Sequence, residues 1–397
     1  LSAVEIYQRL SVANPQVYEP DLAMTQNNLG NLYRDTQRYK ESEEMYLSVL
    51  TVYQRLTIAN PQVYELDLAR TQNNLGNLYR DTRRYEDSEK MYLSAVEIYQ
   101  RLSVANPQVY EPDLAMVQNN LGLLYSDIQR YEDSEKMHLS AVEIYRRLAA
   151  ANPQVYEPDL AETQNDLGIL YSDTRRYEES EEMYLSAMEI RRRLAVANPQ
   201  VYEPGLARTQ YNLGCLYSDT RRYEESEKMY LSAMEIRRRL AVANPQVYEP
   251  DLADTQYNLG CLYYNIQRYE ESGEMYLSAL KVYQRLTVAD PQVYEPYLVR
   301  ACNNLSFLFL AQGNFEEAER YAREGAKYDS THHTIYTNLA ASLLFQGRYA
   351  EAEEIYLRYK EELKEDFLSD FEDFYQRGII PPEREDDVER IKKLLSK

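Results

Sequence analysis

The string "NPQVYEPDLA", with close variants, organises this chain. Its first proline falls at Pro15, Pro61, Pro107, Pro153, Pro199, Pro245 and Pro291, a step of 46 residues each time. A second marker, the Leu of "NLG", keeps the same step at Leu29, Leu75, Leu121, Leu167, Leu213, Leu259 and Leu305. The step then drops to 34, reaching Leu339 in "TNLAASL". Periods of this size mean stacked units, each burying its apolar face against its neighbours. A length of 397 residues would otherwise suggest two or three domains; the repeat overrides that count.

Within one unit the pattern is helical. Leu22, Leu29, Leu32 and Tyr33 recur at helical intervals, and so do Tyr39, Tyr46, Leu50, Tyr53 and Leu56. The spacing predicts a first helix over Leu22–Tyr33, with Pro20 in its opening turn where a missing N–H costs nothing. It predicts a second helix from Tyr39 to Ile58, ended by "ANPQ". No strand signal appears. Gly30 returns as Gly76, Gly122, Gly168, Gly214 and Gly260. A mid-helix Gly costs about 1 kcal/mol against Ala, so a shared cause is expected: the partner helix approaches where a Cβ would clash.

These residues resemble the tetratricopeptide repeat. "NLG..Y" matches the signature of its first helix and "RY.ESEEMY" the start of its second. The usual small Ala there is Ser42, becoming Ala318 and Ala352 in the last two units. The longer units are similar to kinesin-light-chain-type repeats, with "NPQVYEPDLA" as a longer opening. The resemblance covers roughly residues 1–360. It implies an all-α fold: a right-handed superhelical solenoid of antiparallel helix pairs, with 46-residue repeats and a last spacing of 34. The expected organisation is a second helix of a truncated repeat over 1–12, six 46-residue repeats over 13–288, two shorter repeats over 289–361, and capping helices over 362–397. Because residues 1–12 repeat 93–104, the chain is expected to begin mid-unit, with further repeats or another domain upstream. The tail reads as a natural C-terminus.

Chemistry is sparse. A net charge of −21 argues against nucleic acid and anionic membranes. No apolar run would span a bilayer. Cys215, Cys261 and Cys302 lack paired or metal spacing, which points to a reducing, cytoplasmic setting; Cys215 and Cys261, one unit apart, should stand too far apart for a disulfide. His138 replaces a Tyr of other units and reads as a surface or edge substitution, while His332 and His333 lack a third ligand. The carboxylates of "YEESEEMY" recur in every unit, as a solvated helix face does. No nucleophile elbow or phosphate loop is visible. No catalytic residue, metal or cofactor is expected, so the chain is not read as an enzyme. The 40 tyrosines recur mostly at fixed places, as packing residues do.

The recurring Asn directs attention to the first helix, since Asn is a poor helix former. Offsets of three and four put Asn27, Asn31 and Arg34 on one polar stripe, with Asn28 beside it, facing away from the second helix. The Asn before the Leu recurs as Asn74, Asn120, Asn212, Asn258, Asn304 and Asn338, with Asp166 the exception. A ladder of amides suits the backbone of an extended peptide; the alternative is that each Asn bonds to the neighbouring unit. The resemblance implies that first helices line a concave, ligand-binding face. Asn73 and Asn77 extend the stripe, and Arg70, Arg80 and Arg208 add charge. Tyr211 and Tyr257 replace the earlier Asn, and Leu123, Ile169, Cys215, Cys261 and Phe307 follow Asn31 and Asn77. The face thus runs from polar and Arg-bearing to apolar and aromatic. The leading expectation is a protein- or peptide-binding scaffold. A sensing array of a larger signalling protein and a self-associating structural solenoid are the alternatives.

Overall fold

The computed structural model describes residues 2–328 and 334–396. Among them are nineteen α-helices and no strand. The chain forms two compact units, Leu1–Gly205 and Leu206–Lys397.

The first unit holds α1 (Ser2–Ala13), α2 (Pro15–Asp35), α3 (Tyr39–Ala59), α4 (Pro61–Asp81), α5 (Tyr85–Ala105), α6 (Pro107–Asp127), α7 (Tyr131–Ala151), α8 (Pro153–Asp173), α9 (Tyr177–Ala197) and the start of α10 (Pro199–Asp219). Even-numbered helices are the first helices of each repeat and odd-numbered ones the second. Two helices of 21 residues, a three-residue turn and one Asn complete each period of 46. The second helix ends as expected. The first is longer than expected, because it opens at Pro15 rather than near Leu22. Pro15, not Pro20, takes the first turn; Pro20 lies inside the helix, where it forgoes one hydrogen bond without ending it. In α4, Leu66 stands at that place and the helix has the same length.

The glycines explain the pairing. A Cβ on Gly30 would lie 2.7 Å from the Tyr46 ring, and one on Gly76 equally close to Tyr92. The ring of the second helix thus lies flat against the backbone of the first. Beside each contact a serine hydroxyl donates to the glycine carbonyl, as Ser42 to Gly30 and Ser88 to Gly76, both at 2.8 Å. The turn between the helices closes with a left-handed residue, Gln37 at φ 58° or Arg83 at φ 58°. Arg38 N–H donates to Tyr33 O and Gln37 N–H to Arg34 O, the paired bonds of a Schellman end.

The second unit continues with α11 (Tyr223–Ala243), α12 (Pro245–Asn265), α13 (Tyr269–Ala289), α14 (Pro291–Ala311), α15 (Phe315–Ala326), α16 (Ile335–Phe345), α17 (Tyr349–Arg358), α18 (Lys360–Gln376) and α19 (Glu385–Ser396). In the α14–α15 pair the glycine is replaced by Ser306 and the serine by Ala318. The hydroxyl changes helix but keeps its bond, Ser306 Oγ donating to Ala318 O at 2.7 Å. Here Gly313 and Gly347 take the left-handed turn positions. Phe367, Phe371 and Phe374 of α18 are buried with Val388, Ile391 and Leu395 of α19, in one core with Leu339 and Tyr356.

Candidate functional site

Most of the expected stripe on the first helices is turned into the structure. Asn74 Nδ2 donates to Asn27 Oδ1 at 3.2 Å, and Asn120 Nδ2 to Asn73 Oδ1 at 3.0 Å. The offset is 47 residues, one repeat plus one, so the second Asn of each pair reaches the first Asn of the unit before. Asn31 and Asn77 do not face away from the second helix, as their spacing suggested. Asn31 Oδ1 accepts from Tyr46 Oη at 2.5 Å and Asn77 Oδ1 from Tyr92 Oη at 2.6 Å. A phenol laid across the glycine needs an acceptor one residue further on, and the Asn supplies it. Asn28 is exposed.

The arginines are engaged as well. Arg34 lies 3.7 Å from Asp81, Arg70 3.7 Å from Asp113, and Arg80 Nε 2.6 Å from Asp127, each bridging to the next repeat.

The ladder changes around α8. Asp166 has no N–H to donate, so Asn119 Nδ2 donates to its Oδ2 at 3.0 Å. That orientation leaves Asn119 Oδ1 to accept from His138 Nδ1 at 2.8 Å. His138 is therefore not at an edge. It is fully buried, occupies the place of Tyr46 and Tyr92, and lies against Gly122. Burial, helped by the positive Arg80, pulls its pKa down to about 4. The neutral ring leaves Nε2 without a hydrogen-bond partner.

In the second unit the acceptor is a phenol. Asn258 Nδ2 donates to Tyr211 Oη at 2.5 Å and Asn304 Nδ2 to Tyr257 Oη at 2.7 Å. After the shorter step, Asn338 Nδ2 donates to Asn303 Oδ1 at 2.9 Å. Tyr211 and Arg208 are half-buried, as is Asn212, while Tyr257 is buried. Arg237 lies 4.7 Å above the Tyr211 ring and Arg300 4.3 Å above that of Tyr257. The guanidinium of Arg237 is buried and held by Asp251 O and Thr255 Oγ1 at 2.9 and 2.6 Å.

An open cavity of about 180 Å³ lies between α12 and α14, lined by Cys261, Tyr264, Asn265, Tyr276, Asn304 and Phe307. Three aromatic rings form its apolar walls, and two amides and a thiol its polar ones. Arg377, just past α18, reaches back to donate to Tyr264 Oη at 2.8 Å, with its guanidinium 5.8 Å from the Phe307 ring. The sequence signals Cys261, Tyr264 and Phe307, because each departs from the polar residue of earlier units. Nothing in it signals Arg377, 113 residues away. The three cysteines are free thiols, and burial raises the pKa of each.

Among the described residues no group of His, Cys, Asp and Glu could hold a metal ion. His332 and His333 lie outside the described residues. No described helix is long and apolar enough to cross a membrane.

No curated protein matches the sequence. Among solved structures, the chain is similar to BtubC (BKLC) from P. vanneervenii, at 23% identity over 61% of this chain and 89% of that one, with a TM-score of 0.50. It is similar to the apo form of RapI, at 13% identity over 77% and 97%, TM-score 0.53. It also matches a signal transduction ATPase with numerous domains and a tetratricopeptide repeat sensor from Pyrococcus horikoshii, at 17% identity, TM-score 0.61. That match takes in 93% of this chain and 54% of the other. At these identities the likeness is one of fold. Family models described as tetratricopeptide repeat match residues 67–147, 113–193 and 159–239, residues 22–57 and 252–291, and residues 309–368. With the glycine-to-ring helix pairing and those matches over most of its length, the chain belongs to the tetratricopeptide repeat family.

Proposed function

We propose that the chain is a non-catalytic binding module. It holds an extended protein segment along the outward face of its first helices and anchors one apolar side chain of that segment in the Cys261–Phe307 cavity. The cavity carries the reading: its volume of about 180 Å³ suits one large side chain, and its rings supply the buried aromatic contact around which binding energy concentrates. Arg300, over the Tyr257 ring, favours an acidic residue next to the anchor, whereas Arg377 is already paired with Asp373. The amide ladder has a supporting role: bonded from unit to unit, it fixes the first helices relative to one another and so pre-organises the face. Free thiols suit a reducing compartment such as the cytoplasm.

The test is selection of binders from a random-peptide display library, then calorimetric titration of the best peptide. Phe307→Ala should weaken it at least tenfold, while Glu178→Ala on a second helix should leave it unchanged. Equal effects would remove the cavity from the binding face.

A second reading is favoured by the match to the Pyrococcus horikoshii protein, whose repeats form a sensor within a longer chain: here too the array would be the sensing part of a larger signalling protein. An ATPase domain encoded in the same reading frame would support it, and its absence would leave a free-standing module.

A further inference from the structure

In the 46-residue repeats each junction from a second helix to the next first helix is a corner of six consecutive exposed residues, Val-Ala-Asn-Pro-Gln-Val or a close variant. In the first unit these corners are 12–17, 58–63, 104–109, 150–155 and 196–201. The connectivity puts every such corner at the same end of the helix pairs. Val12, Ile58, Val104 and Val196 are between 83% and 86% exposed. The valines closing the corners, Val17 through Val201, are all more than half exposed. Isolated exposed valines are ordinary; here a valine closes all five corners and a second large apolar residue opens four of them, Ala150 opening the fifth, so an apolar pattern repeats at a fixed step.

The row carries no charge. In a chain with a net charge of −21 and 27% charged residues, none of the 30 residues in these five corners is ionisable. Behind each corner from the second onward one arginine is paired in place, as Arg101 2.9 Å from Glu65 and Arg147 2.5 Å from Glu111. In the second unit the corner 242–247 keeps the pattern, whereas Asp290 enters the next, where its carboxylate accepts from Val293 N–H at 3.3 Å.

We infer that this row is a docking edge for a second copy of the chain, paired edge to edge along the first unit. Two observations select a copy over other occupants. A protein partner with the same rise per repeat can engage every corner at once, and a second copy has that rise. Two molecules of strong like charge repel at every other surface, and the uncharged row is where they can meet without a charge to desolvate. With each corner offering on the order of 200 Å² of mostly apolar surface, four corners reach the roughly 800 Å² per partner of an ordinary specific interface. This pairing is independent of the peptide-binding face.

Sedimentation equilibrium of the intact chain tests it, beside a variant carrying Val104→Lys, Val109→Lys, Val196→Lys and Val201→Lys. All four positions are exposed, and circular dichroism checks that the fold is kept. The wild type should reach a mass of two copies and stop, with a dissociation constant in the micromolar range. Added salt should tighten it by screening the net charge, and the variant should remain monomeric throughout. A second variant, Val104→Thr with Val201→Thr, should shift the dissociation constant at least tenfold with little change in shape. A wild type monomeric to about 200 μM would overturn the inference. So would a mass that keeps rising beyond two, which signals end-to-end growth, or a dimer untouched by either variant. Co-sedimentation of monomeric wild type with uncharged phosphatidylcholine vesicles, lost in the lysine variant, would assign the row to lipid instead.

Discussion

The ladder between first helices is built differently in the two units. In Leu1–Gly205 an amide donates to an amide, Asn74 to Asn27 and Asn120 to Asn73. In Leu206–Lys397 the two 46-residue rungs have an amide donating to a phenol, Asn258 to Tyr211 and Asn304 to Tyr257, before the shorter step returns to an amide pair, Asn338 to Asn303. The position accepting the bond needs only an oxygen at the right height, and both Asn and Tyr provide one. The donor is less free. Where Asp166 cannot donate, the bond reverses and the strand of interactions extends to His138. Replacing the amide by a ring keeps the connection and changes the surface: the first unit presents ion-paired arginines, the second an aromatic cavity.

The largest expected effect lies where the first unit departs from its own rule. Asn119→Leu removes the acceptor of a fully buried imidazole N–H and should cost about 3 kcal/mol in urea unfolding. A loss no greater than that of Asn74→Leu would mean the reversed bond contributes nothing special.

His138 gives the first unit a pH-dependent component of stability of its own, distinct from that of Asp370 in the second, whose carboxyl burial pushes up to about 6. The folded pKa of His138, about 4, lies below the ordinary 6.5. The unfolded chain therefore binds the extra proton first, and stability falls as pH drops from about 6.5 to about 4. The full loss is about 3 kcal/mol. His138→Tyr restores the residue of the other units and should abolish that component, read as the difference between the two pH–stability curves. Parallel curves would contradict the buried neutral ring.

In the second unit Tyr257→Phe should cost only about 1 kcal/mol, because Asn304 Nδ2 also has Tyr276 Oη at 3.4 Å and Cys261 Sγ at 3.6 Å. A cost as large as that of Asn119→Leu would erase the contrast between the units. The smallest effect is a gain. Gln129 holds a left-handed turn at φ 60° that Gly313 and Gly347 hold in the later repeats. Gln129→Gly should raise stability by about 1 kcal/mol, seen as a higher urea midpoint at unchanged slope.

The helix pairing was legible because a repeated Gly opposite a repeated Tyr has one steric explanation. The stripe was legible only in part. Helical spacing places Asn31 near Asn27 and Arg34, yet an α-helix in a stack has three faces: one to its own partner, one to the next unit and one to solvent. Spacing alone does not separate the first two from the third, so it points Asn31 outward although the Tyr46 hydroxyl donates to its oxygen. His138 misled for a related reason: a polar residue replacing Tyr reads as exposed unless the flat ring against Gly122 is known. The 47-residue offset of the ladder is present in the sequence, as a pair of adjacent Asn one repeat apart. Arg377 over the cavity depends on how the tail folds back, which no local pattern carries.

The measurement that bears most directly on function is the affinity of a library-selected peptide for the wild type and for Phe307→Ala, with Glu178→Ala as control. Anchoring in the cavity predicts at least a tenfold loss for Phe307→Ala alone. The same affinity for all three proteins would contradict it.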